Sequence, residues 1–305
     1  MDTGARQIRV SRAWLQLLKE LPQTGRVMVV GGSDSGKTTL CQWLLGKLPA
    51  EARPALVDSD TGQSQVGPPA CVGWRFAGTS QSQLFFVGDI TPAANPSGVL
   101  AATVRSVLDA ETAGAGLVLV DTSGYLSGRG GFELKSGKLE LLSTCGPQAC
   151  QSPLQMITVG ESPEIKRLLA AWHRDERLVV HRLPTAETMQ QKSRPQRMEW
   201  RRAKFAEYFA GTELRKVSLE RLALSGLATS GELQAAGKDW NDLEGLLLGF
   251  YDTQRRVQCL GILQRLDLRG REMLVRAPET AEQAVGVMFG TLRVTAEGQE
   301  IGRIT

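Results

Sequence analysis

Gly31-Gly32-Ser33-Asp34-Ser35-Gly36-Lys37-Thr38-Thr39 satisfies the pattern G-x-x-x-x-G-K-[ST]. The chemistry this spacing allows is the binding of a nucleoside triphosphate. Glycines let successive backbone N–H groups curl around a phosphate, and a following helix N-terminus adds the positive end of its dipole. Gly32, Ser33, Asp34, Ser35, Gly36 and Thr39 form the cradle. Lys37 is spaced to reach the β- and γ-phosphates, and the Thr38 hydroxyl to hold Mg²⁺. A nucleoside triphosphate with Mg²⁺ is therefore the expected ligand.

Three further groups carry chemistry. Asp58-Ser59-Asp60-Thr61-Gly62-Gln63-Ser64 places two acids and a glutamine just past the apolar run Ala55-Leu56-Val57. Ligands of open α/β sheets sit at such strand ends, whereas a plain polar turn would also use Asp as a cap. In an extended chain Asp58 and Asp60 project to the same side. The run Gly116-Leu117-Val118-Leu119-Val120 ends in Asp121, the usual position of a second Mg²⁺-supporting acid. Between residues 192 and 204 six basic residues face Glu199 alone. Arg194, Arg197, Arg201 and Lys204 share one helical stripe, and Met198, Phe205 and Phe209 form the stripe beside it. A solvated face and a set of cations for a γ-phosphate are both open readings of that stripe.

These groups need a frame. Val27–Val30 reads as a buried strand before the glycine loop, and Thr39–Leu45 as the helix after it. Ser11 to Leu21 has helical spacing with Ser11 as cap and Pro22 at the exit; its apolar residues are Trp14, Leu15, Leu17, Leu18 and Leu21. It reads as packing beside the first strand or as a partner-binding helix. Strands are expected at 84–90, 116–121, 156–159 and 178–181. Helices are expected from Pro96 or Ser97 to Ala113, near 132–143, and over 163–173, with a loose loop at 126–131. Alternating strands and helices imply an α/β fold, a parallel sheet covered by helices on both faces. From about residue 214 short apolar segments alternate with turns, near 245–250, 257–263, 272–275 and 290–294, and read as β-hairpins. The expected division is an N-terminal helix packed on the core in 1–24, a P-loop domain in 25–213 with an Arg-rich stretch near 192–211, and a small β-rich C-terminal domain in 214–305.

Composition sets limits. The chain has 305 residues, a net charge of +4 and 42% hydrophobic residues, an ordinary soluble composition. The five cysteines form no C-x-x-C pair and the two histidines no metal cluster, so a reducing cytoplasm is expected. No apolar run is long enough to cross a membrane. The P-loop alone does not name a function. There is no N-K-x-D, which argues against a GTPase, and no L-S-G-G-Q, which argues against a transporter ATPase.

Taken together, Gly31–Thr39, Asp58–Ser64, Gly88–Pro96 (GDITPAANP), Asp121–Gly131 (DTSGYLSGRGG) and the Arg-rich stretch to Gly211 resemble the P-loop polynucleotide 5′-hydroxyl kinases. That family includes the RNA kinase subunit of the mRNA cleavage factor and the ribosomal-RNA-processing kinases. The resemblance runs in order from about residue 10 to 305. It implies ATP-dependent phosphorylation of a 5′-hydroxyl end of RNA or DNA. It implies Asp60 as general base, Asp58 as support for the metal, and Gln63 near the 5′ end. Tyr125 stands where the family often has Trp, a platform for a base. Arg197 and Arg201 or Arg202 belong to the lid over the phosphates. Only about 24 residues precede the first strand, where eukaryotic members carry a long β-domain, so a minimal prokaryotic-type kinase is implied. A small-molecule kinase and a weakly active ATP-binding scaffold are the competing expectations.

Overall fold

A computed structural model describes residues 10–147, 151–185, 192–226 and 240–304. In chain order the elements are α1 (Arg12–Glu20), β1 (Gly25–Gly31), α2 (Lys37–Leu45), β2 (Ala55–Ser59), β3 (Cys71–Phe76), β4 (Gln83–Phe86), α3 (Pro96–Thr112), β5 (Leu117–Thr122) and α4 (Gly128–Thr144). They continue with β6 (Leu154–Val159), α5 (Pro163–Trp172), β7 (Leu178–Leu183), α6 (Arg194–Phe209), β8 (Glu213–Ser218), β9 (Ala223–Ser225), β10 (Leu246–Tyr251), β11 (Val257–Asp267), β12 (Glu272–Ala277), β13 (Gly286–Val294) and β14 (Glu300–Arg303). One seven-stranded sheet has the order β4-β3-β2-β5-β1-β6-β7. The chain divides into two compact units, one of residues 1–57, 74–81 and 107–191, the other of residues 58–73, 82–106 and 192–305.

In the first unit β1 lies between β5 and β6, and β7 follows β6, all parallel. Every residue of β1 is buried, which is why the run Val27–Val30 does not alternate. The Ser11 side chain accepts the Trp14 amide and caps α1. Trp14, Leu17 and Leu21 are buried, and Trp14 packs on Trp43 with ring centroids 5.4 Å apart. Leu15, expected in the same apolar face, is 50% exposed. It falls off the i, i+3, i+4, i+7 series that Trp14, Leu17, Leu18 and Leu21 satisfy.

A charge is buried at the base of this unit. The Arg26 guanidinium pairs with both Glu111 oxygens at 2.6 and 2.8 Å and donates to the Leu142 carbonyl at 2.7 Å. It joins β1 to α3 and α4. Lys135 and Lys138 of α4 are also fully buried, and the Lys135 ammonium donates to the Ser123 carbonyl at 2.7 Å.

The second unit contains a sheet of order β14-β13-β10-β11-β12-β8, with β9 pairing in parallel to β13. Its other strands pair antiparallel. Side chains alternate across it. Leu246, Leu248, Phe250, Val275 and Phe289 enter one core, while Leu247, Leu260, Ile262 and Leu292 meet Phe205 and Phe209 of α6 on the other face. Ser193 and Gln196 close a capping box at the start of α6, with Pro195 in its first turn. Met198, placed beside Phe205 in the sequence pattern, is instead 44% exposed.

Several elements differ from expectation. The strand expected over 84–90 ends at Phe86, because the Val87 and Gly88 amides both turn to the Ala70 carbonyl. Residues 128–131, expected in a loop, already belong to α4. Two glycines allow this: a Cβ on Gly131 would lie 2.4 Å from the Leu126 carbonyl carbon, and one on Gly130 would lie 2.5 Å from the Tyr125 hydroxyl. The short or polar strands β3, β8, β9 and β14 carried no clear period and were not anticipated. The Cys71 and Cys259 thiols are buried, which pushes both upward, Cys259 to about 11.

Breaking the Arg26–Glu111 pair leaves a buried guanidinium without its counter-charge. Glu111→Gln is expected to lower stability by about 3 kcal/mol, and Arg26→Met with Glu111→Leu to cost less than that single change. Chemical denaturation of the three proteins measures both.

Candidate functional site

The glycine loop begins where β1 ends. A Cβ on Gly31 would lie 2.6 Å from Ser35 Oγ and 2.7 Å from the Val159 carbonyl oxygen, so the turn closes only on glycine. Asp34 (φ 55°) and Gly36 (φ 98°) take left-handed conformations that reverse the chain into α2. The Lys37 ammonium folds back over the loop to the Gly32 carbonyl at 2.7 Å and is 6% exposed. By contrast a Cβ on Gly32 would meet open space. The loop is thus a cradle with its cation inside and room beside Gly32, and it fits a polyphosphate.

β5 supplies the next group. The register of β1 and β5 sets Val29 opposite Asp121. Asp121 then reaches the first turn of α2, where the Thr38 hydroxyl donates to its Oδ2 at 2.6 Å. The hydroxyl and the carboxylate form an oxygen pair suited to a hard divalent cation such as Mg²⁺. The Thr122 hydroxyl donates to the Val29 carbonyl at 2.7 Å and locks the two strands. Gly124 follows. A Cβ there would lie 2.4–2.6 Å from Ser33 Oγ, N and Cα, so the loop after β5 lies directly against the cradle. Tyr125 is half-buried, with its hydroxyl over Gly130. Lys135, which sequence reasoning missed, holds this loop through the Ser123 carbonyl. The signal was a lysine pair at i, i+3 on the face that also carries Leu134, Leu139 and Leu142.

In the second unit the stretch Asp58–Ser64 is a turn built on its own acids. Asp58 is 1% exposed. Its Oδ1 accepts the Asp60 amide at 3.0 Å, and its Oδ2 accepts the Gln65 amide at 2.5 Å and the Ser64 hydroxyl at 3.3 Å. β2 ends at Ser59, so Asp60 lies just past the extended strand and the chain bends over residues 61–63. Asp60 is half-exposed, and its Oδ1 accepts the Gly62 and Gln63 amides at 3.0 and 3.1 Å. No such bond occupies its Oδ2 among the described residues. Gln63 accepts from the Lys192 ammonium at 3.3 Å.

The arginine stripe is also revised. Arg201 Nε donates to Glu300 at 2.5 Å, Arg202 makes a two-pronged pair with Glu199 at 2.7 and 2.8 Å, and Lys204 pairs with Glu207 at 2.9 Å. It is therefore not a row of four unpaired cations. Arg197 is half-buried and Arg194 exposed. The Gly88–Pro96 motif has a structural task in this unit. Asp89 is fully buried and accepts the Thr91 amide, the Thr291 hydroxyl and Arg303 Nε at 2.7, 2.8 and 2.8 Å. Gly88 and Gly290 touch backbone to backbone, since a Cβ on Gly88 would lie 2.6 Å from Gly290 Cα.

The sequence profile of the mRNA cleavage and polyadenylation factor CLP1 P-loop family matches residues 31–211, more than half of the chain. A polyribonucleotide 5′-hydroxyl-kinase of Pyrococcus abyssi is 25% identical over 94% of this chain and 93% of its own length. The enzymes of that name from Methanocaldococcus jannaschii and Thermococcus kodakarensis are 25% and 27% identical, covering 94% and 90% of this chain and 92% and 90% of their own lengths. Among solved structures, Clp1p in its complex with Pcf11p superposes with a TM-score of 0.64 at 14% identity, covering 92% of this chain and 77% of that one. That likeness is one of fold.

Gly124→Ala places a methyl group inside contact distance of Ser33. The loop must shift, and ATP affinity is expected to fall about tenfold or more, with a folded spectrum retained. Calorimetric titration with ATP, alongside circular dichroism, checks it; unchanged affinity would mean that the loop after β5 does not brace the cradle.

Proposed function

The chain belongs to the mRNA cleavage and polyadenylation factor CLP1 P-loop family, and on that premise we propose that it is an ATP-dependent polynucleotide 5′-hydroxyl kinase. Similarity to the archaeal polyribonucleotide 5′-hydroxyl-kinases over nearly the whole chain supports this substrate class. The observation that carries it is Asp60. One carboxylate oxygen is tied down by two amides, and no hydrogen bond occupies the other among the described residues. A kinase can use a carboxylate held that way, because a 5′-hydroxyl is a poor nucleophile until its proton is taken.

In the transfer, the 5′-oxygen bonds to the γ-phosphorus as the bond from that phosphorus to the β,γ-bridging oxygen breaks. The hydroxyl proton passes to Asp60 Oδ2, and ADP leaves. Lys37 offsets the charge on the β- and γ-phosphates. Thr38 and Asp121 would hold Mg²⁺, which neutralises charge on the phosphate oxygens when bound. Asp58 fixes the backbone of Asp60 and, as the family resemblance implies, would support the metal. Gln63 contacts the 5′ end, and Tyr125 stacks on its base. Arg197, with Arg201 and Arg202 on the same helix, spreads positive charge over the transferring group and the polynucleotide backbone. No helix among the described residues is long and apolar enough to cross a membrane.

The direct test offers γ-labelled ATP with 5′-hydroxyl RNA, 5′-hydroxyl DNA and free nucleosides. Label on the polynucleotides and not on nucleosides is expected. Asp60→Asn should reduce transfer at least about a hundredfold, the scale of a lost general base, while ATP still binds. If Asp60→Asn keeps full turnover, the proton goes elsewhere.

Arg197→Ala should lower kcat by about ten- to a thousandfold, as expected for lost stabilisation of developing charge. Wild-type turnover in that variant would leave α6 as a solvated face.

A further inference from the structure

Arg303 lies on the edge strand β14 of the second unit and is held at two points. Its Nε donates to Asp89 Oδ2 at 2.8 Å, and its Nη2 donates to the Thr91 hydroxyl at 3.3 Å. Asp89 is fully buried and is itself fixed by the Thr91 amide and the Thr291 hydroxyl. The Arg303 side chain is nonetheless 38% exposed. A guanidinium carries more donors than one carboxylate oxygen and one hydroxyl can take up. Among the described residues no hydrogen bond occupies its Nη1, and no acid other than Asp89 pairs with it. The planar fork is thus fixed from below, with donors left over.

This fork lies beside the turn that carries Asp60. Ile90 separates Asp89 from Thr91, the two residues that hold Arg303. A Cβ on Gly62 would lie 2.8 Å from the Ile90 carbonyl oxygen, so that segment and the Asp60 turn are in contact. Asp60 Oδ1 accepts the amides of Gly62 and Gln63, which ties the proposed base to the same place. All of these residues belong to the second unit.

A polynucleotide differs from a nucleoside in the phosphate that follows its 5′-terminal sugar. That phosphate is anionic and lies one sugar away from the 5′-hydroxyl. With the hydroxyl at Asp60, it falls in the neighbourhood of the turn. A fixed guanidinium there supplies both the charge and the paired donors that phosphate oxygens accept. We propose that Arg303 binds the phosphodiester nearest the 5′ end of the substrate and so selects polynucleotides over nucleosides. The assignment rests on the kinase reading above and adds a residue outside the glycine loop, the Asp58–Ser64 turn and α6.

The experiment uses 5′-hydroxyl RNA oligomers in which one phosphate, the first, second or third from the 5′ end, is replaced by an uncharged methylphosphonate. In the wild-type chain the neutral first linkage should lower kcat/KM about tenfold, the scale of a lost charged hydrogen bond, chiefly by raising KM. The second and third linkages should matter less. Arg303→Gln should show that same loss on unmodified RNA, with ATP affinity unchanged, and no further loss on the neutral first linkage. Removing Arg303 alone leaves Asp89 buried without its counter-charge. Asp89→Asn combined with Arg303→Gln removes both charges; it should keep a cooperative thermal transition and show the same insensitivity to the first linkage. A wild-type chain indifferent to the neutral first linkage would reduce Arg303 to a counter-charge for Asp89 and overturn the assignment, with kinase activity intact. A folded variant that stays as sensitive to that linkage as the wild type would overturn it as well. If the wild type labels no 5′-hydroxyl RNA at all, the kinase reading falls and this one with it.

Discussion

The Thr38 hydroxyl meets the Asp121 carboxylate at 2.6 Å, and that contact depends on three separate pieces of the fold. The parallel register must set Val29 against Asp121. The chain after β1 must reverse within a few residues, which it does through the left-handed Asp34 and Gly36. Finally the loop after β5 must lie against the cradle, which Gly124 permits. A slip of one residue between β1 and β5 would turn the carboxylate to the other face of the sheet. The buried apolar strand is what forbids that slip, so the core sets the chemistry of the phosphate end.

Buried charge recurs through both units, and its use is positional. Arg26 with Glu111 joins a strand to two helices. Lys135 pins the loop after β5. Asp58 folds the turn that carries Asp60. Asp89 gathers an amide, a hydroxyl and a guanidinium. Each is matched by donors or acceptors, as groups excluded from water must be. Charged hydrogen bonds fix direction as apolar packing does not, and the loops around these sites consist largely of glycine and short polar residues.

The phosphate cradle and the central strands were legible in the sequence because each is local. A glycine pattern specifies a turn, and a solid apolar run specifies a strand buried on both faces. Helix α1 was legible for the same reason, through its Ser11 cap, and α6 through the spacing of Arg194, Arg197, Arg201 and Lys204, whereas the Ser193 cap of α6 was not anticipated. What stayed hidden depends on partners far along the chain. The strand at 84–90 stops early because the Ala70 carbonyl captures two amides. Arg201 is drawn to Glu300, and no spacing within 192–211 announces that. The acids at 58 and 60 read as a pair on an extended strand, yet the strand ends between them and Asp58 accepts the amide of Asp60. The edge strand β14, with three of its four residues exposed, has too little apolar surface to show a period.

The ties at Asp89 bear on how the chain is made. Thr291 and Arg303 lie 202 and 214 residues beyond it. At about 5–20 residues per second a ribosome needs roughly 10–40 s to supply them. During that interval a carboxylate destined for full burial stays hydrated, and the neighbouring Phe86 and Ile90 lack the strand residues they pack on, such as Leu292. The nascent second unit thus waits, open and partly apolar, for its own distant segment. In a cell, that waiting period is when a chaperone has something to hold.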